Sequence, residues 1–114
     1  MSGDSPSSSH EPRLFYADVV YDHIQREVRA QEKALEPGQA LAVEVLLLDG
    51  SVLSVVSFGF HNPNFVTVDG FTQKGTFVHA LVQHTQIQVV ITIVSERDAR
   101  TRQIGFTLPP PSIG

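Results

Sequence analysis

His61, His79 and His84 are the side chains best suited to chemistry, because they fall in one stretch that otherwise carries almost no charge. Three imidazoles can hold zinc, but no two of these stand at the i,i+2 spacing that puts two ligands on one face of a strand. An acid–base role needs a neighbouring carboxylate. Asp49 and Asp69 are the aspartates nearby, and each precedes a glycine, a setting in which Asp serves turn geometry. The chain has no Cys, hence no thiolate nucleophile, thiolate ligand or disulfide. The glycines at 50, 59, 70 and 75 are isolated, so no phosphate-cradling loop is present. Ser57-Phe58-Gly59 does not make a Gly-x-Ser-x-Gly nucleophile turn. Arg97, Arg100 and Arg102 form the one basic cluster, diluted by Glu96 and Asp98, and read as a solvated turn. These residues imply no enzyme, no metal site and no cofactor; a small metal-binding or enzymatic domain is kept as an alternative, resting only on the histidines.

The elements that must position these residues follow from the apolar periodicity. At 114 residues, 41% hydrophobic and 18% charged, the chain fits one folded domain rather than a disordered segment. Residues 1–13 are rich in Ser and Pro, without the apolar core of a signal peptide, and are expected to be a disordered tail. Ala17, Val20, Tyr21, Ile24, Val28 and Leu35 lie on one stripe of an amphipathic helix over 14–36. Ser9 or Asp18 is the expected cap, and Glu36-Pro37-Gly38 the stop. From Gly38 on the period becomes two. Strands are expected at 41–47, 51–60, 65–68, 76–82, 86–94 and 102–108, before a Pro-rich tail at 109–114. Asp49-Gly50 reads as a type I′ hairpin turn, and Gly59 as a bulge or bend. The expected fold is α+β: an N-terminal amphipathic helix, then a strongly bent antiparallel five- to six-stranded sheet or small barrel (Sm-like/SH3-like), one globular domain over 14–108 with its sheet over 39–108.

Charge placement narrows the function. Between Gly38 and Val94 the only ionised side chains are Glu44, Asp49, Asp69 and Lys74. The run from Ile87 to Val94 has no charge and no Pro, and an exposed edge of that kind invites pairing. It is therefore either a central strand or an edge that meets another subunit. Phe71, beside Gly70 in an expected loop, is either a protruding anchor or a plug over the end of the sheet. With Ile87, Val89, Ile91 and Ile93 it makes a candidate interaction surface. The net charge of −4 argues against a strong nonspecific grip on nucleic acid. No apolar stretch approaches the ~20 residues that span a bilayer. A cytoplasmic binding or scaffold domain is expected, its partner itself (a homo-oligomer) or another protein, with no membrane.

The order of a helix, a strand ending in Asp49-Gly50, a long bent second strand and a fourth-to-fifth strand junction resembles the Sm-like fold. Phe77-Val78-His79-Ala80-Leu81 is similar to the Hfq-type bacterial segment that runs aromatic-Lys-His-Ala-aliphatic. That resemblance implies a ring of subunits with an RNA pore, and makes Phe77 and His79 the candidate RNA-binding residues. Val78 stands at the position of the family's lysine, which removes a phosphate-contacting charge. The chain also resembles an uncharacterised family of small bacterial domains around Asn62-Pro63, Leu81-Val82-Gln83-His84 and Arg102-Gln103-Ile104-Gly105-Phe106. That likeness implies no activity.

Overall fold

The computed structural model describes residues 16–99 and 104–106. The expected tails, and Leu14 and Phe15 at the expected start of the helix, lie outside the described residues. Helix α1 runs Ala17–Lys33. Ala17, Tyr21 and Val28 are buried, and Val20 and Ile24 pack partly buried beside them, so the 3.6-residue stripe is the face that meets the sheet. No helix among the described residues is long and apolar enough to cross a membrane.

The helix start is capped from outside. Tyr16 is the N-cap residue and makes no side-chain cap bond. Asp18 sits inside the first turn, and Ser9 is outside the described residues. The first amides, which have no partner within a helix, reach the turn after the second strand. Ala17 N–H donates to the Pro63 carbonyl at 2.8 Å and Asp18 N–H to Asn62 Oδ1 at 2.9 Å. Past Lys33 the chain turns at Gly38, whose φ of 86° suits a residue without Cβ.

Six strands follow: β1 Gln39–Leu46, β2 Val52–His61, β3 Phe65–Phe71, β4 Phe77–Gln83, β5 Gln88–Ser95 and the short β6 Gly105–Phe106. Their order across the sheet is β4-β3-β2-β1-β5, every neighbour antiparallel. β6 pairs in parallel with β2 at Ser57 and Phe58, on the stretch that β1, which pairs only as far as Ser54, has left. The sheet stays open, with β4 and β5 as its edges, so the barrel alternative falls. The central-strand reading of residues 87–94 falls with it: β5 pairs with β1 on one side and has no strand on the other among the described residues.

Two turns differ from expectation. At the β1–β2 hairpin Leu47 and Ser51 are bonded (2.9 Å) and Gly50 N–H donates to the Leu47 carbonyl. Gly50 has φ +90°, while no non-glycine residue among the described residues has positive φ. That is a three-residue loop with glycine in the left-handed position, not a type I′ turn, which needs positive φ at both central residues. The β3–β4 hairpin repeats the pattern, with Thr72 bonded to Thr76 and Gly75 at φ +87°. Asp69-Gly70 is not a turn at all; both lie inside β3. Gly70 is needed there because a Cβ would stand 2.3 Å from the Ser54 carbonyl oxygen, where β2 bulges between Val55 and Ser57. The bulge falls earlier in β2 than Gly59.

One face of the sheet carries the core: Val43, Val45, Leu53, Val55, Phe58, Val66 and Val68 are buried beneath α1, each worth roughly 1.5–3 kcal/mol of transfer free energy. Residues 104–106 strap this assembly. Ile104 is buried, and Phe106 stacks on Phe58 at 5.6 Å and meets Tyr21 edge-on at 5.7 Å. Arg29 donates through Nη2 to the Ile104 carbonyl at 3.1 Å while lying 4.8 Å over the Phe106 ring.

Candidate functional site

The far side of the sheet, facing away from α1, is where polar and aromatic side chains converge. The register sets Asp69 between Ser57 on β2 and His79 on β4. Ser57 Oγ donates to Asp69 Oδ2 at 3.1 Å, and His79 Nδ1 is hydrogen-bonded to Asp69 Oδ1. The carboxylate thus orients the imidazole and leaves Nε2 pointing away from it, on a half-exposed side chain. Catalysis through such a trio requires the serine to bond the histidine; here Ser57 and His79 both bond the aspartate instead. Among the described residues no three His, Asp or Glu side chains are grouped as metal ligands. His61 is exposed at the end of β2, and His84 lies in the β4–β5 connection, where its backbone N–H donates to the Asn64 carbonyl.

The same face of β4 is apolar around His79. Phe77 is 55% exposed and Leu81 53%, while Val78, Ala80 and Val82 alternate with them and pack toward the core. Phe71 belongs to β3, not to a loop, and is partly buried. It pairs with Phe77 across the strands, rings edge-on at 5.4 Å. Next to the C-terminal half of β4 opens a cleft of about 410 Å³, lined by Leu46, Leu47, Leu48, Asp49 and residues 80–83. β1 and β4 are separated by two strands in the sheet order, so their sharing one cleft measures how sharply the sheet bends. Leu48 at the hairpin tip is 87% exposed. Asp49 beside it accepts from Ser51 N–H at 2.9 Å and Ser51 Oγ at 2.6 Å, and these bonds, the hydroxyl's first, hold its carboxyl below the ordinary value.

On the other edge, Ile87, Val89 and Ile91 point toward the core and are partly buried. Ile93, on their side of the strand, is exposed, as is Val90 on the far face. Val89 and Ile91 also wall a groove against His23, Ile24 and Glu27 of α1. Of the residues expected to form a surface, Phe77, His79 and Ile93 are therefore exposed, Phe71 is half-covered, and Ile87, Val89 and Ile91 face inward. Sequence reasoning missed Asp69 as the partner of His79, and Leu46 and Leu48 as exposed apolar residues. No known protein family, curated protein or solved structure matches the chain.

Proposed function

We propose that this domain is a non-enzymatic scaffold that associates with copies of itself, or with a second protein, through the open edges of its sheet. One observation carries the reading: both edge strands, Phe77–Gln83 and Gln88–Ser95, lack Asp, Glu, Lys, Arg and Pro. Sheet edges are ordinarily blunted by charge, Pro or cover, and an unblunted edge is the template for strand addition. Light scattering over a range of concentrations tests it. A mass that rises above one chain supports the reading, and a strict monomer at the highest concentration overturns self-association.

A second reading, RNA binding in an Sm-like ring, draws on Phe77 and His79 standing exposed together on β4, where an aromatic ring can stack a base. It is opposed by the net charge of −4 and by the scarcity of cations to meet phosphates. A mobility shift with U-rich and A-rich oligonucleotides at physiological salt decides it. No shift at micromolar protein removes RNA.

A further inference from the structure

We propose that a second copy of this chain adds to the β4 edge, antiparallel, about a two-fold axis at His79, each copy's Phe77 entering the leucine-lined cleft of the other. This inference rests on the edge-association reading and names the edge, the register and the anchor.

The register follows from what β4 displays. Phe77 and Leu81 stand two residues either side of His79 on one face, both more than half exposed. A two-fold at His79 sets Phe77 opposite Leu81 of the second copy and Leu81 opposite its Phe77, while Val78 meets Ala80. Shifting the axis to Ala80 would oppose Phe77 with Gln83 and Leu81 with His79. Shifting it to Val78 would oppose Phe77 with His79 and Leu81 with Gly75. Opposed side chains on one face of an antiparallel pair touch, so of these three axes the one at His79 sets both exposed apolar residues of β4 against apolar partners, with His79 facing its own copy. It is also isologous, one patch serving both copies.

The cleft supplies a socket for the anchor. Leu81 forms one wall, and Leu46, Leu47 and Leu48 the other, of a space of about 410 Å³. Aromatic anchors in desolvated pockets carry most of the energy of an interface. Phe77 is exposed, and the socket lies two register steps from the axis, where its symmetry mate arrives. Charge agrees. Lys74 precedes β4 in the turn on the Phe77 side, and Asp49 lines the cleft on the Leu81 side. The two-fold brings each Lys74 toward the Asp49 of the other copy. These are two of only four ionised side chains between Gly38 and Val94. The free edge of β5 offers Gln88, Val90 and Thr92 on its far face, while its groove against α1 lies on the opposite face, walled by Val89 and Ile91.

Cysteine substitution reads the register, since the chain has no thiol of its own. Residues facing each other in an antiparallel pair have Cα atoms about 4.5–5.5 Å apart, within the span of a disulfide. His79→Cys is expected to form a covalent dimer on mild oxidation. Gln83→Cys, whose two copies would stand about 27 Å apart at 3.4 Å per residue, is expected to remain uncrosslinked, as is Thr92→Cys on β5. Phe77→Lys, which leaves the Asp69–His79 bond untouched, is expected to keep its circular dichroism and weaken dimerisation by at least about tenfold. Self-association by light scattering without a His79→Cys crosslink, crosslinking of His79→Cys to Thr92→Cys in a mixture, or an undiminished dimer for Phe77→Lys would overturn this interface and leave edge association standing. A monomer at every concentration overturns both.

Discussion

Tyr21 shows what a single atom can decide. Its ring is buried between α1 and the sheet, 5.0 Å from Phe60 and 5.7 Å from Phe106, yet its hydroxyl is buried with no hydrogen-bond partner among the described residues. A buried unsatisfied hydroxyl forfeits its hydration, so Tyr21→Phe should raise stability by about 1 kcal/mol, read from urea melts at pH 7. The same burial pushes the phenol above its ordinary value of 10.0, with Arg29 pulling it down and Asp22 adding a smaller upward push. A raised folded pKa means that stability is complete below the unfolded value and is lost as pH climbs through the folded one. The advantage of Tyr21→Phe should therefore widen from pH 10 upward; a constant gap would show the phenol to be equally free to ionise in both states. Asp69 teaches a different lesson about legibility. Read alone, Asp69-Gly70 carries the composition of a turn. The true turn is centred on Lys74, and counting outward from it opposes Phe71 with Phe77 and Asp69 with His79. The carboxylate partner of His79 was thus recoverable from the sequence once Gly75, not Gly70, was taken as the turn glycine.

At the scale of elements, two contacts decide how β2 and β3 meet and how α1 is tied to residues 104–106. Gly70 lies where β3 passes the bulge of β2, and a methyl there would stand 2.3 Å from the Ser54 oxygen and 3.2 Å from Val55 Cα. Both neighbours are backbone, which cannot move without separating the strands. Gly70→Ala should destabilise by more than about 3 kcal/mol, measured as a fall in the urea midpoint; a loss below 1 kcal/mol would mean the bulge is soft. Arg29 is the second contact. It bonds Glu32 at 2.9 Å, donates to the Ile104 carbonyl and covers the Phe106 ring, so one side chain fixes α1 to the strap. Arg29→Ala should cost about 1–2 kcal/mol and speed proteolytic cleavage near residues 104–106, whereas an unchanged cleavage rate would show that Ile104 and Phe106 hold the strap unaided. The helix was legible from its period of 3.6, and five of the strands from β-branched, alternating or apolar runs bounded by turn residues, although the bulge of β2 breaks its period of two. The capping of α1 by Asn62 and Pro63 was not, since it joins segments 44 residues apart by a contact no local pattern encodes. Neither was the parallel pairing of β6, two residues long.

At the scale of the whole molecule, strand order was the hidden quantity. A list of strands does not say which are edges, because that depends on where β5 lands after leaving β4. An uncharged run is as suited to a buried centre as to a shared border. Here β5 lands on β1, and with β4 it leaves two borders without a paired strand among the described residues. Amide exchange should map the consequence. In dilute solution β3, paired on both sides along its length, should open only with global unfolding, and alternate amides of β4 and β5, those aimed outward, should exchange fast. Raising the protein concentration should slow the outward amides of β4, from Phe77 to Gln83, as the second copy covers them, while those of β5 stay fast. Slowing confined to β5 would move the contact to the opposite edge, and exchange independent of concentration on both would return the sheet to the state of a lone, open-edged monomer.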